Sequence, residues 1–71
     1  MIAHIAIFTN ETDASTFADD LDTLLVPGAF RYGNRVQVPV PSTSFEEEHR
    51  EALASFARTV TDRFQIARVA E

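Results

Sequence analysis

The chain has 71 residues, a formal net charge of −5 and no cysteine; 45% of its residues are hydrophobic and 24% are charged. This composition predicts one compact domain over residues 1–71 and excludes disulfides and thiolate metal sites. The acidic balance argues against nucleic-acid binding, because a phosphate-binding protein needs a basic surface. The sequence shows no signal peptide and no apolar run of the roughly 20 residues that a membrane helix needs, so we expect a cytoplasmic protein without membrane contact.

The first element is an apolar run, "MIAHIAIFTN", interrupted only by His4. Its length and its isoleucines favour a buried central strand over residues 2–9. Side chains alternate across a strand, and we expect Ala3, Ile5 and Ile7 to face the core. The set expected on the opposite face is Ile2, His4, Ala6 and Phe8.

The stretch "TDASTFADDLDTLLVPG" has apolar residues at steps of three and four, which predicts a helix. Asp13 is suited to be its N-cap, because a carboxylate can accept hydrogen bonds from the free amides of the first turn. Proline at position 27 cannot continue the helix, so the helix should end there. Three acids, Asp19, Asp20 and Asp22, lie on its predicted outer face.

The segment "FRYGNRVQVPV" contains Gly33 and Asn34 between two β-prone runs. A Gly-Asn pair in this position favours a hairpin with a type II′ turn. The alternative is a loop followed by a single strand. In the hairpin, Tyr32 stands opposite Arg35 and Phe30 opposite Gln37, on the side away from the core.

A second helix is predicted within "STSFEEEHREALASFARTVTDRF". Ser44 and Glu47 have the spacing of a capping box, and Glu46 to Glu48 suit the positive end of the helix dipole. His49 belongs to the inward apolar stripe. The tail "FQIARVAE" can extend this helix or form a last strand. We favour the strand, because the first strand would otherwise be an exposed apolar edge.

The predicted order is therefore strand, helix, strand, strand, helix, strand, which is the split βαβ or ferredoxin-like α+β arrangement. Right-handed crossovers would place both helices on one face of a four-stranded antiparallel sheet. The other face would be bare. A contiguous apolar surface of this kind predicts an interface. The predicted interface residues are Ile2, His4, Phe8, Phe30, Tyr32, Arg35 and Gln37.

These features favour a small acidic interaction or regulatory module without enzymatic activity, such as an inhibitor or adaptor. It would form a homodimer, or bind a partner protein, through the bare face. Another possibility is a surface that docks a basic partner. It would be formed by the acids Asp19, Asp20, Asp22, Glu46, Glu47 and Glu48.

His4 supports an alternative, because histidine titrates near neutral pH and can act as an acid or base in a cleft. The opening "MIAHIAIF" resembles that of the stress-responsive dimeric α/β-barrel proteins. The resemblance implies ferredoxin-like units that pair by their sheets, and in some members an enzyme with a histidine in the barrel. His4 would then be central to a small-molecule site and is the sole catalytic candidate. Glu46 and His49 have the spacing of half a metal motif, but we expect neither a metal nor a cofactor.

Overall fold

The structure is a computed structural model that describes residues 2–70. The predicted element order is confirmed, with one short 3-10 turn added before the second helix. The elements are β1 (Ile2–Phe8), α1 (Glu11–Thr23), β2 (Phe30–Tyr32), β3 (Arg35–Pro39), the 3-10 turn (Thr43–Phe45), α2 (Glu46–Arg58) and β4 (Phe64–Ala70).

The four strands form one antiparallel sheet in the order β2-β3-β1-β4. This is the ferredoxin-like arrangement predicted from the sequence. The C-terminal segment forms a strand, as favoured above, and pairs with β1 from Ile2↔Ala70 to Phe8↔Phe64. The first strand of the chain is therefore held on both sides and lies in the interior of the sheet.

The hairpin between β2 and β3 turns at Gly33, whose φ is +61°. Asn34 does not share this left-handed backbone, and one positive φ at the first central residue is the pattern of a type II′ turn. The side-chain amide of Asn34 donates a 2.6 Å hydrogen bond to the carbonyl of Phe8, and the amide of Phe8 donates to the Asn34 carbonyl at 2.9 Å. The hairpin turn is thus bound directly to the end of β1.

The core lies between the sheet and the two helices. Phe8 from β1 packs against Phe17 from α1, with ring centroids 5.3 Å apart, and both side chains are buried. The other buried members are small or branched side chains, which allow the helices to approach the sheet. They are Ala6, Ala14, Leu21, Val36, Val38, Leu53 and Ala57.

The helix N-termini differ from the predictions. Asn10 caps α1, because its Oδ1 accepts a 2.8 Å hydrogen bond from the amide of Asp13, so the prediction of Asp13 as the cap is wrong. The predicted Ser44–Glu47 capping box is also wrong. Ser42 instead caps the 3-10 turn, accepting from the amide of Ser44 at 3.3 Å, and α2 begins after Phe45 without a side-chain cap.

The C-terminus of α1 is a Schellman motif. The amide of Val26 donates to the carbonyl of Leu21 at 3.1 Å, and the amide of Leu25 donates to that of Asp22 at 3.0 Å. The motif needs a left-handed residue, and Leu25 supplies it with φ at +59°. Glycine is the usual residue here, because a Cβ in this conformation costs roughly 1–2 kcal/mol.

Candidate functional site

The bare face of the sheet is present, but β1 contributes the opposite set of side chains from the predicted one. His4 pairs with Val38 in the register and Phe8 packs on α1, so both lie on the helix side. Ile2 lies on the same side by alternation. The prediction that Ile2, His4 and Phe8 face outward is therefore wrong. The strand is apolar on both faces, so its hydrophobic pattern does not indicate which face is inside.

We call the helix-free side of the sheet the open face. The predicted outward orientation of the hairpin side chains is confirmed. On β3, Val36 and Val38 are buried toward the helices, while the alternate residues point to the open face. On β1 and β4, the residues that pair in register with these positions point to the open face as well. The open face consists of Ala3, Ile5, Ile7, Phe30, Tyr32, Arg35, Gln37, Pro39, Gln65, Ala67 and Val69.

Two aromatic rings are the most accessible apolar groups of the open face. Phe30 is 50% exposed and Tyr32 is 41% exposed, and their ring centroids lie 5.6 Å apart. Ile5, at the centre of the sheet, is shielded by its neighbours, whereas Ile7 is partly exposed. The exposed apolar surface is thus concentrated on β2, and Ile7 is the partly exposed isoleucine of β1 on this face.

No carboxylate lies on the open face among the residues that the structure describes. The acids of residues 2–70 lie in α1, in α2 and at Asp62 in the loop before β4. Among residues 2–70, Arg35 is the only charged side chain of the open face. An acidic protein therefore carries its negative charge away from this side of the sheet.

His4 is fully buried beneath α2, where its Nδ1 lies 2.8 Å from Nδ1 of His49. A hydrogen bond between these atoms requires a proton on one ring and a lone pair on the other. The Nε2 atom of His4 is buried without a partner among the described residues. Because an unpaired buried N–H group is rarer than an unpaired acceptor, the favoured arrangement has His4 donating from Nδ1.

The two histidines are held in their neutral form. Burial lowers the pKa of His4, and the neighbouring His49 lowers it further. Burial also lowers the pKa of His49. Around His4, Glu46 opposes this shift, while Arg50 and Arg68 support it. The pair thus joins β1 to α2 as an uncharged buried hydrogen bond, and His4 does not line the open face where an acid–base role had been considered.

The predicted acidic residues are partly engaged in ion pairs. The Nε atom of Arg68 donates to both carboxylate oxygens of Glu46, at 3.0 and 2.9 Å. Arg50 binds Glu47 at 2.8 Å, and this hydrogen bond lowers the pKa of Glu47. The carboxylate of the Glu46–His49 half-motif is therefore already bound by an arginine. Residues 2–70 contain no group of three or more histidine, aspartate or glutamate side chains that could hold a metal ion.

A second feature, which the sequence reasoning missed, is an apolar cleft between the C-terminal end of α1 and the middle of α2. It has a volume of about 320 Å³ and a largely apolar lining, with β3 at its base. Among the residues that the structure describes, His49 is the only ionisable one in the lining. Its lining includes Leu21, Leu25, Val38, His49, Leu53 and Phe56. A signal was present in the sequence, since Leu24 and Leu25 are consecutive apolar residues at the end of a helix.

Comparison of the chain with protein-family models, with curated proteins and with solved structures finds no match. Neither helix within residues 2–70 has the length and hydrophobicity required to cross a bilayer. The open face and the cleft are therefore the features from which a function can be argued.

Proposed function

We propose that the protein is a non-enzymatic interaction module that self-associates by stacking the open faces of two copies. The observation that carries this proposal is the pair of exposed rings, Phe30 and Tyr32, on an open face where residues 2–70 place no carboxylate. An adaptor or regulatory role fits a module of this kind.

Apolar surface favours the proposal. Burying exposed apolar area stabilises a complex by about 25 cal/mol per Å², and aromatic residues are enriched at the centres of interfaces. Tyr32 suits such a position, because its ring can be buried while its hydroxyl keeps a polar partner. Arg35, opposite Tyr32 in the hairpin, supplies a charged group that can remain at the rim.

The charge distribution favours a second copy as the partner. Two protomers that stack their open faces bring no carboxylates together among the described residues, and their acidic helices lie on opposite outer sides. The negative charges of the helices therefore stay far apart, in spite of a net charge of −5 per chain. At physiological ionic strength, repulsion beyond about 8 Å is screened further.

The size of the face predicts a weak dimer. Four strands at about 4.8 Å spacing, with about 3.3 Å per residue, give a face of roughly 400 Å² per protomer. Stable interfaces bury about 600–1,000 Å² per partner, so this one falls below that range and has the size of a weak, transient contact. We expect a dissociation constant on the order of 10–100 µM, with association visible only at high concentration.

The small-molecule alternative with His4 at its centre has less support. Stacking two open faces would create a space lined by Ile5 and Ile7, whereas His4 points to the other side of the sheet and binds His49. The geometry that the dimeric α/β-barrel resemblance implies for this histidine is thus not the geometry observed.

Sedimentation equilibrium over a range from about 1 µM to about 1 mM tests the proposal. We expect the parent chain to dimerise, and the variants Phe30→Glu and Tyr32→Glu to remain monomeric. Phe45→Glu is the matched control, because Phe45 is 63% exposed but lies outside the open face. A parent chain that is monomeric throughout, or a Phe45→Glu variant that dissociates as readily as the others, would contradict the proposal.

A further inference from the structure

The end of α1 carries two exposed leucines next to the apolar cleft. Leu25 is 86% exposed and Leu24 is 50% exposed. Leu25 also has the left-handed backbone of the Schellman motif, a conformation that is unfavourable for residues other than glycine because their Cβ crowds the backbone. This leucine therefore has an unfavourable backbone and leaves most of its side chain in water.

Neither property is explained by the fold of the monomer. Glycine would complete the same Schellman motif without strain, and a polar residue would be better solvated. Strained residues that are not needed for packing often mark the place where a ligand or partner binds. The position of Leu25 in the wall of the cleft connects the two observations.

The cleft has the size and lining of a docking groove. Its volume of about 320 Å³ is at the lower end of the range for ligand pockets, which is about 300–1,000 Å³. Leu21, Leu53 and Phe56 supply apolar walls from both helices. A small molecule inside the cleft would leave Leu24 and the outer part of Leu25 exposed, so an occupant that covers them must extend beyond the cavity.

The charges near the cleft are negative. Leu21 and Leu25 line the cleft, so the last turn of α1 lies beside it, and this turn contains Asp20 and Asp22 but no basic residue to oppose the negative end of the helix dipole. Glu48 directly precedes His49 on α2. A partner for this site should therefore be basic as well as apolar.

Nearby arginines do not cancel these charges. Arg50 is paired with Glu47, and Arg68 is paired with Glu46.

We infer that this cleft docks an amphipathic basic segment of a partner protein, whose leucine or phenylalanine side chains enter between α1 and α2. Lysine or arginine residues beside these anchors meet the carboxylates of Asp20, Asp22 and Glu48. This is the helix-in-groove mode of peptide recognition. The site lies on the helix side of the sheet, so it is separate from the open face and does not depend on self-association.

A synthetic, fluorescently labelled amphipathic helix of leucine and lysine serves as the probe, and its binding is measured by fluorescence anisotropy. The matched control is the same peptide with glutamate in place of each lysine. We expect the lysine peptide to bind, the glutamate peptide to bind at least tenfold more weakly, and added salt to reduce binding of the lysine peptide.

The Leu25→Gly variant separates binding from folding. It removes the exposed side chain and relieves the backbone strain. We therefore expect it to raise the urea midpoint of unfolding and to weaken binding of the lysine peptide at least tenfold. The open-face variant Phe30→Glu should bind the peptide as the parent does. This control distinguishes loss of peptide binding at the cleft from loss of self-association through the open face.

Three results would overturn the inference. The lysine peptide could fail to bind, it could bind Leu25→Gly as tightly as the parent, or the glutamate peptide could bind equally well. Sedimentation of Leu25→Gly adds a fourth: if this substitution converts a parent dimer to a monomer, the cleft is occupied by a second copy of the chain and not by a basic segment.

Discussion

Adjacent residues of β1 should differ sharply in their effect on stability, because Phe8 faces the helices and Ile7 faces the open side. Phe8 is 2% exposed and packs between Phe17 and Phe64, with ring centroids 5.3 and 6.3 Å away. Truncating such a residue removes its transfer free energy and leaves a cavity. We therefore expect Phe8→Ala to lower the free energy of unfolding by about 3–5 kcal/mol.

This loss is large compared with the total. At about 0.05–0.15 kcal/mol per residue, a chain of 71 residues has a free energy of unfolding of roughly 4–11 kcal/mol. Ile7→Ala is the matched control. Ile7 is partly exposed and has no helix above it, so its truncation leaves no enclosed cavity and should cost about 1 kcal/mol.

Urea unfolding followed by circular dichroism measures both changes, at low micromolar concentration so that the chain is monomeric. An unchanged slope with a lower midpoint identifies a change in stability and not in the unfolded state. If Ile7→Ala destabilises the monomer as much as Phe8→Ala, the two faces of β1 have been assigned the wrong way round.

Three further predictions concern pH and backbone. Because burial lowers the pKa of both His4 and His49 from 6.5, the unfolded chain takes up protons at higher pH than the folded chain. The free energy of unfolding should therefore fall as pH falls below 6.5. This pH dependence should vanish in the double variant His4→Leu/His49→Leu. Urea titrations of both proteins between about pH 7.5 and about pH 5 measure it. Gly33→Ala should cost about 1–2 kcal/mol through its φ of +61° alone, because a Cβ there meets nothing within 4 Å. Gly28→Ala should cost more, since it adds a contact of 2.9 Å with Cγ of Pro39 to a φ of +77°; equal urea midpoints for the two alanine variants would count against this reasoning.

The elements that carry strong local signals could be predicted from the sequence. Gly33-Asn34 predicts the hairpin because only a primed turn joins two strands by two residues without splaying them. The hairpin then places Phe30 and Tyr32 on the open face without further information, since Val36 and Val38 have the alternation of a half-buried strand. This part of the candidate site follows from local chemistry.

The orientation of β1 could not be predicted in the same way. Both of its faces are apolar, so a shift of one residue changes the hydrophobic pattern little while exchanging every side chain between the two faces. The contacts that place these side chains on the helix side are long-range, such as that between His4 and His49, which are 45 residues apart. One clue was available, because His49 lies in the inward stripe of α2 and a buried histidine needs a polar partner.

The predictions of the helix N-caps were wrong for a related reason. Asn10 and Asp13 are both good capping residues, and the choice between them depends on where β1 ends. Similarly, Ser42 and Ser44 compete for the same turn, and the 3-10 segment favours Ser42. Candidate caps three or fewer residues apart cannot be ranked by propensity alone.

The position of β1 between β3 and β4 has a consequence for the order in which the protein can acquire its structure. During synthesis β1 emerges before either neighbour, and its final partner, Phe64–Ala70, is translated only after both helices and the hairpin. Until then its isoleucines and Phe8 lack the strand that closes the sheet. The sheet should therefore close only after β4 has been translated, and a nascent chain stalled before residue 64 would present an unpaired apolar strand to chaperones.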